Sequence, residues 1–284
     1  MSLELTFPNP KDHFDVQVIN SNFSAVSEAV EENKTGISAV ADEIKKMNRT
    51  LTARTEEEVR EALQFAVDHP GCYLSLTLSA GLNAVVPTMY IRNAIIMIIG
   101  TKVGDAISNV ITFELTSTTS NLHLQNTSLS LRNIGLNGNH NHSTGGYGVV
   151  RAENGSSVTC ENVVFGQADG SLNFGNNIEI RDASRAYIVN TTFQSLSTAA
   201  NACGVFVTSN GEAAVKNCGF SSDSTIERIG RLESGASFNQ IGTEYGVYLA
   251  AGHASVYSVD GIQRAPVDLS ALVNAVEAQT ASSS

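Results

Sequence analysis

Leu129-Ser-Leu131-Arg-Asn133-Ile-Gly-Leu136 decides how this 284-residue chain is read, because the phrase returns three times downstream. It recurs as Val158-Thr-Cys160-Glu-Asn162-Val-Val-Phe165, as Ala186-Tyr-Ile188-Val-Asn190-Thr-Thr-Phe193 and as Ala213-Ala-Val215-Lys-Asn217-Cys-Gly-Phe220. The closing residues Leu136, Phe165, Phe193 and Phe220 lie 29, 28 and 27 positions apart. A near-constant period of this length marks a solenoid, in which each unit completes its core on a neighbour. Within a phrase the apolar residues alternate, the pattern of a short strand with one buried face. The asparagine then ends the strand, since its side chain bonds local backbone and tolerates left-handed φ and ψ. Stacked at ~4.8 Å per coil, Asn133, Asn162, Asn190 and Asn217 are expected to form a side-chain ladder. Farther out, Ser255-Val-Tyr257-Ser-Val259-Asp-Gly-Ile262 keeps the apolar places with Val for Asn. Met89-Tyr-Ile91-Arg-Asn93-Ala-Ile-Ile96 fits the same register, which adds Asn93 to the expected ladder.

A second strand precedes each phrase. Asn177-Ile-Glu-Ile180, Gly204-Val-Phe-Val207 and Gly246-Val-Tyr-Leu249 all begin 16 residues before the closing apolar residue, and Gly148-Val149-Val150 is off by one. Two strands at matched offsets predict a mainly β fold, a single-stranded right-handed parallel β-helix over residues 72–264. The pattern resembles the pectate-lyase-like class of β-helices. The run Glu58 to Gly71, then Leu74, Leu76 and Leu78, then Ile91 to Gly100, looks like the opening of many such proteins: a helix, Pro-Gly, a strand and a first coil.

Upstream stands a heptad. Ile19, Phe23, Val26, Val30, Asn33, Ile37, Val40, Ile44, Met47 and Leu51 are separated by alternating steps of four and three. A 3.5-residue period held this long predicts a coiled coil over 17–53, and branched residues at both core positions favour three strands. Asn33 is the polar core place and sets register; the competing arrangement lays the same stripe on the chain's own solenoid. Residues 1–16, punctuated by Pro8 and Pro10, are an extended lead suited to docking. Thr55-Glu-Glu-Glu58 is a capping box for a helix over 55–69, which would cover the first coil's open strand edges. Asp268 is placed to cap a second covering helix over 267–279 (Leu269, Leu272, Val273, Val276), with 280–284 a disordered tail. Residues 221–243 read as an insertion between coils.

Composition narrows the chemistry. A net charge of −11 argues against nucleic acid, which needs basic patches. No stretch approaches the ~20 apolar residues of a membrane span, and no basic-then-apolar start suggests a secretion signal. Cys72, Cys160, Cys203 and Cys218 lack metal spacing, and Cys160 falls in an inward row, so disulfides are not expected and assembly in a reducing cytoplasm is. Coil acids are scattered; Glu153, Glu179 and Asp182 alone are placed to approach one another on adjacent coils. No catalytic residue, cofactor or metal is assigned. The most polar loop, Asn137 to Tyr147, offers Asn139, His140, Asn141, His142 and Tyr147 as candidate glycan contacts; in a trimer its H-x-H could surround a transition metal, though two loop histidines read as solvated. The stretch 221–243, with Arg228, Arg231, Glu233 and Asn239, competes as the recognition element.

A lead, a trimer-type coiled coil, a covering helix and a β-helix in this order resemble bacteriophage tail fibres and tailspikes. Pro8-Asn-Pro-Lys-Asp-His-Phe-Asp-Val-Gln-Val-Ile-Asn-Ser-Asn-Phe23 is similar to N-terminal lines of structural proteins of phages from Gram-positive hosts. The resemblance implies a homotrimeric virion protein assembled in the host bacterial cytoplasm. It would contact other virion proteins through its N-terminus and a host surface glycan through its β-helix, with no nucleic acid or membrane partner. A polysaccharide depolymerase (lyase or glycoside hydrolase) of the same architecture, and a purely structural head fibre or baseplate component, are the alternatives.

Overall fold

The computed structural model describes residues 16–116, 119–139, 148–167, 176–194, 202–222, 224, 228–242, 245–249, 255–264 and 267–268. The chain forms two compact units, Met1–Asn48 and Arg49–Ser284. The first holds a single long helix, α1 (Val16–Met47). The second is a β-solenoid of about six turns.

Each turn of the solenoid contributes to two long sheets, one of 14 strands and one of 8. Pairing between coils is parallel and in register. Leu129 faces Val158, then Ala186, Ala213, Phe238 and Tyr257 across successive coils, and all six are buried. In the eight-stranded sheet the inward row is Leu124, Ala152, Ile180, Val207 and Leu232. The phrase-closing phenylalanines stack inside: ring centroids are 5.6 Å apart for Phe165–Phe193 and 6.1 Å for Phe193–Phe220, and Tyr245 continues the column 5.3 Å from Phe220.

Two kinds of corner lie among the described residues. Between the eight-stranded and the long sheet, a buried hydroxyl row closes the backbone. Thr127 N–H donates to Ser156 Oγ (3.0 Å) and Ser156 N–H to Ser184 Oγ (3.0 Å). The Ser156 hydroxyl in turn donates to Glu153 O within its own coil (2.7 Å). The Thr127 amide is satisfied by the hydroxyl at the bend, and the Ser156 amide shares its proton between Ser184 Oγ and the more distant Glu153 O (3.3 Å). At the other corner, Asn133, Asn162, Asn190 and Asn217 all adopt φ between 49° and 54°, the left-handed region that asparagine tolerates. Their amides bond along the axis, Asn162 Nδ2 to Asn133 Oδ1 (3.1 Å) and Asn217 Nδ2 to Asn190 Oδ1 (3.4 Å). One coil later Gly242 takes the place with φ 89°; a Cβ there would lie 2.5 Å from Asn217 Oδ1.

Four sequence expectations need correction. Asn93 is not in this ladder: Ile96 and Ile98, not Met89 and Ile91, pair with Leu129 and Leu131. Met89–Arg92 belongs to the eight-stranded sheet, and Asn93 sits at the other corner, where Asn126 Nδ2 donates to its Oδ1 (2.8 Å). Both corners end a strand with a left-handed Asn, so the sequence phrase fits either. Residues 221–243 are not an insertion but a further coil, with strands Arg228–Leu232 and Ser237–Ile241. Its signature is hidden because Gln240 occupies an inward place, its amide donating to Tyr257 Oη (2.8 Å) and Tyr245 O (2.9 Å). Leu51 is not on the helix. α1 stops at Met47 and Leu51 lies half-buried on the strand Asn48–Ala53, where Thr50 and Thr52 favour extended backbone. Asp268 is on the strand Val267–Asp268, paired with Leu249, rather than at a helix start, and residues 269–284 lie outside the described part.

At the first coil, α2 (Glu56–Asp68) starts on Thr55 with both bonds of a capping box and buries Val59, Ala62, Leu63 and Ala66. At the last, Ile262–Arg264 turns back antiparallel on Val256–Val259.

Left-handed backbone at the corner gives a direct test. Asn162→Val should lower the unfolding free energy by about 1–2 kcal/mol more than Asn162→Gly, because a branched Cβ resists this φ strongly while glycine carries no Cβ. Equal urea midpoints for the two variants would contradict it.

Candidate functional site

α1, taken by itself, carries an apolar stripe that faces solvent. Phe23 is 71% exposed and Ile37 70%, with Val26, Val30, Val40 and Ile44 exposed beside them, and Asn33 sits among them. Met47 is half-buried. Ile19 is on the helix, with its side chain outside the described part. Of the candidate glycan loop, His140, Asn141, His142 and Tyr147 lie outside the described residues. Asn139 is described, and its backbone is tied to the Asn121 side chain (N–H to Oδ1, 3.1 Å), which makes it a fixed end of that loop.

The densest chemistry is on the outer face of the eight-stranded sheet. Register places Tyr90, His123, Arg151, Glu179, Phe206, Arg231 and Tyr248 in one outward row, each on a successive coil. Beside them runs a second row containing Gln125 and Glu153. Charges alternate between the rows. Glu153 receives Arg151 (3.2 Å) on one oxygen and approaches His123 Nε2 (2.8 Å) with the other. The His123 ring and the Glu153 carboxylate attract one another electrostatically at this distance. Glu179 lies between Arg151 (3.9 Å) and Arg181 (3.5 Å), and Arg181 also reaches Asp182 (3.4 Å). Arg231 pairs with Glu233 and covers the Phe206 ring at 4.8 Å. Arg92 covers Tyr90 at 4.2 Å, and Arg228 covers Tyr248 at 3.9 Å.

Glu153, Glu179 and Asp182 are therefore brought together, as their spacing allowed, but through guanidinium groups. His123, Arg151 and Arg181 were missed as members of the cluster. The signal was there: each follows a buried apolar residue at the offset of the preceding strand, as in Leu122-His123, Val150-Arg151 and Ile180-Arg181. Burial raises the Glu179 carboxyl against the pull of Arg151 and Arg181, the residue being 4% exposed. Burial also lowers His123, with Glu153 opposing and Arg151 and Arg181 reinforcing. A carboxylate walled by two guanidinium groups ties coils together; Glu179 presents almost no surface to a polymer. Charges held this far from water carry a desolvation cost that only their pairing offsets.

Other reactive groups are enclosed. All four cysteines are free thiols and buried, and burial pushes Cys203 up to about 12. Among the described residues, no group of three or more His, Cys, Asp or Glu is arranged to hold a metal ion, and no helix is long and apolar enough to cross a membrane. No protein family, curated protein or solved structure matches this chain.

His123 has a folded-state pKa below its ordinary value, so the unfolded chain takes up the proton first. Stability should therefore fall as pH drops through about 6.5 toward the folded value, and His123→Gln should flatten that part of the profile. Glu179 acts with the opposite sign: its raised carboxyl favours the folded state below the ordinary carboxylate range and loses that contribution as pH rises through the raised value. Urea midpoints of wild type and His123→Gln between about pH 7 and pH 5 separate the two, and parallel profiles would reject the His123 assignment.

Proposed function

We propose that this chain is a homotrimeric structural protein of a bacteriophage virion, a tail fibre or tailspike. Residues 1–16 dock it on the particle, and its solenoid is presented to carbohydrate on the host surface. The observation that carries the reading is the α1 stripe: Phe23, Val26, Val30, Asn33, Ile37, Val40 and Ile44, at alternating steps of three and four, are all exposed. A helix with such a seam in water gains most of its stability when the seam is covered. Val and Ile at both core positions favour three strands over two, and Asn33 holds them in register. Three parallel chains would multiply weak sugar contacts by raising their effective concentration. The solenoid is taken as right-handed, the hand that parallel crossovers adopt almost without exception.

A polysaccharide depolymerase is the second reading. It draws on the carboxylates of Glu153 and Glu179 converging on Arg151, Glu153 being the less buried of the two. Reducing ends released from host capsule, and lost in Glu153→Gln, would select it.

Light scattering on the intact protein should give three times the chain mass. Ile37→Asp with Ile44→Asp should give one chain mass while the β signal in circular dichroism is kept. A single-chain mass for the unaltered protein would sink the trimer.

A further inference from the structure

The outer face of the long sheet differs from the charged face in having a gap. Register lines up Thr159, Tyr187, Ala214, Asn239 and Ser258 as one outward row. Beside it runs Ser157, Arg185, Glu212 and Ser237. Ala214 stands between two large neighbours, so the row is notched there. Tyr187 and Asn239 flank the notch two coils apart, about 10 Å at the strand spacing of a sheet. The Tyr187 side chain is 47% exposed. Its neighbour on one side is Thr159 and on the other Ala214, neither of which carries a ring to stack on it. One wall is the ion pair Arg185 Nε–Glu212 Oε2 (3.0 Å); the strands of Ala186 and Ala213, whose own methyl groups face the core, run beneath the groove, which is shallow. The groove so enclosed has a volume of about 360 Å³. The Asn239 Oδ1 accepts from Ser258 Oγ (2.7 Å), which turns the amide and leaves its Nδ2 as a donor.

This is the chemistry of a sugar subsite. A pyranose has one face of C–H groups that lies on an aromatic ring, and a rim of hydroxyls that both donate and accept. The exposed Tyr187 face supplies the first contact. Asn239 donates to a rim oxygen, while the Arg185–Glu212 pair offers a donor fork beside an acceptor, the combination that grips adjacent hydroxyls. With the wall charges already paired to each other, the groove offers no unpaired cation to a sugar acid. We propose that the notch over Ala214 binds one pyranose unit of a neutral polysaccharide, stacked on Tyr187 and held by Asn239 and the Arg185–Glu212 pair. The proposal rests on the host-glycan part of the proposed function and gives it a location on the solenoid wall.

The test is saturation-transfer NMR on the full chain. Its probes are the methyl pyranosides of glucose, galactose, mannose, rhamnose and N-acetylglucosamine. At least one should receive transfer from the wild type. Ala214→Gln, which fills the notch from an outward position, should abolish the signal, as should Tyr187→Ser; Tyr187→Phe should keep it. Transfer that survives both Ala214→Gln and Tyr187→Ser overturns the notch and leaves glycan binding standing on another surface. No transfer to the wild type from any probe overturns the notch as a pyranose site. Retention of the same protein on isolated host envelopes then decides separately whether the broader glycan reading also falls.

Discussion

Each coil of this solenoid depends on its neighbours for backbone hydrogen bonds, and in-register parallel pairing is the constraint from which the other features follow. A strand repeated at every coil meets the requirement along the flat faces; the bends do not meet it by themselves. At one bend, the hydroxyls of Ser156 and Ser184 stand in for strand carbonyls and accept the preceding coil's amide. At the other, left-handed asparagines point their amides along the axis, and the row of Asn133 to Asn217 keeps one turn geometry over successive coils. A slip of one residue would put apolar side chains outside and break both rows together, so register is over-determined.

That redundancy explains what could be read in the sequence and what could not. The phrases ending at Leu136, Phe165, Phe193 and Phe220 were legible because alternation, a corner asparagine and a large apolar closing residue coincide in each, the last three closing on a stacked phenylalanine. Where one signal is replaced, reading fails. The coil around Phe238 was hidden because Gln240 is inward and satisfied by Tyr245 and Tyr257, while Gly242 does the work of Asn. Asn93 was set in the wrong corner because both corners ask the same of a residue, a left-handed φ after a strand. Outward residues leave no period of their own, so the alternation of Arg151, Glu153, Glu179 and Arg181 emerges only once register is known. Leu51 matched the heptad by spacing alone, while its threonine neighbours favoured a strand.

The two outer faces use the same pleat for opposite ends. On the eight-stranded sheet, long side chains fill every coil and turn toward each other: guanidinium groups lie over aromatic rings and between carboxylates, and the surface is closed. On the long sheet the outward row of Tyr187 holds Thr159, Ala214 and Ser258, so the exposed tyrosine and Asn239 stand apart with room between them, beside the Arg185–Glu212 pair. Solenoid geometry makes such differences local, because a side chain contacts only the coils directly above and below it. A change at Ala214 can thus alter one face without disturbing the stack of phenylalanines within.

The turned-back strand Ile262–Arg264 has a consequence for how molecules meet end to end. An open parallel edge is a template on which another copy's first coil could continue the sheet, and repetition of that step would give filaments without limit. With its final strand running the opposite way, the long sheet offers an edge of the wrong polarity for such continuation. At the opposite terminus, α2 packs its buried residues against the opening strands. For the long sheet, continuation along the axis is thereby disfavoured where Ile262–Arg264 lies, and α2 covers strands at the other terminus.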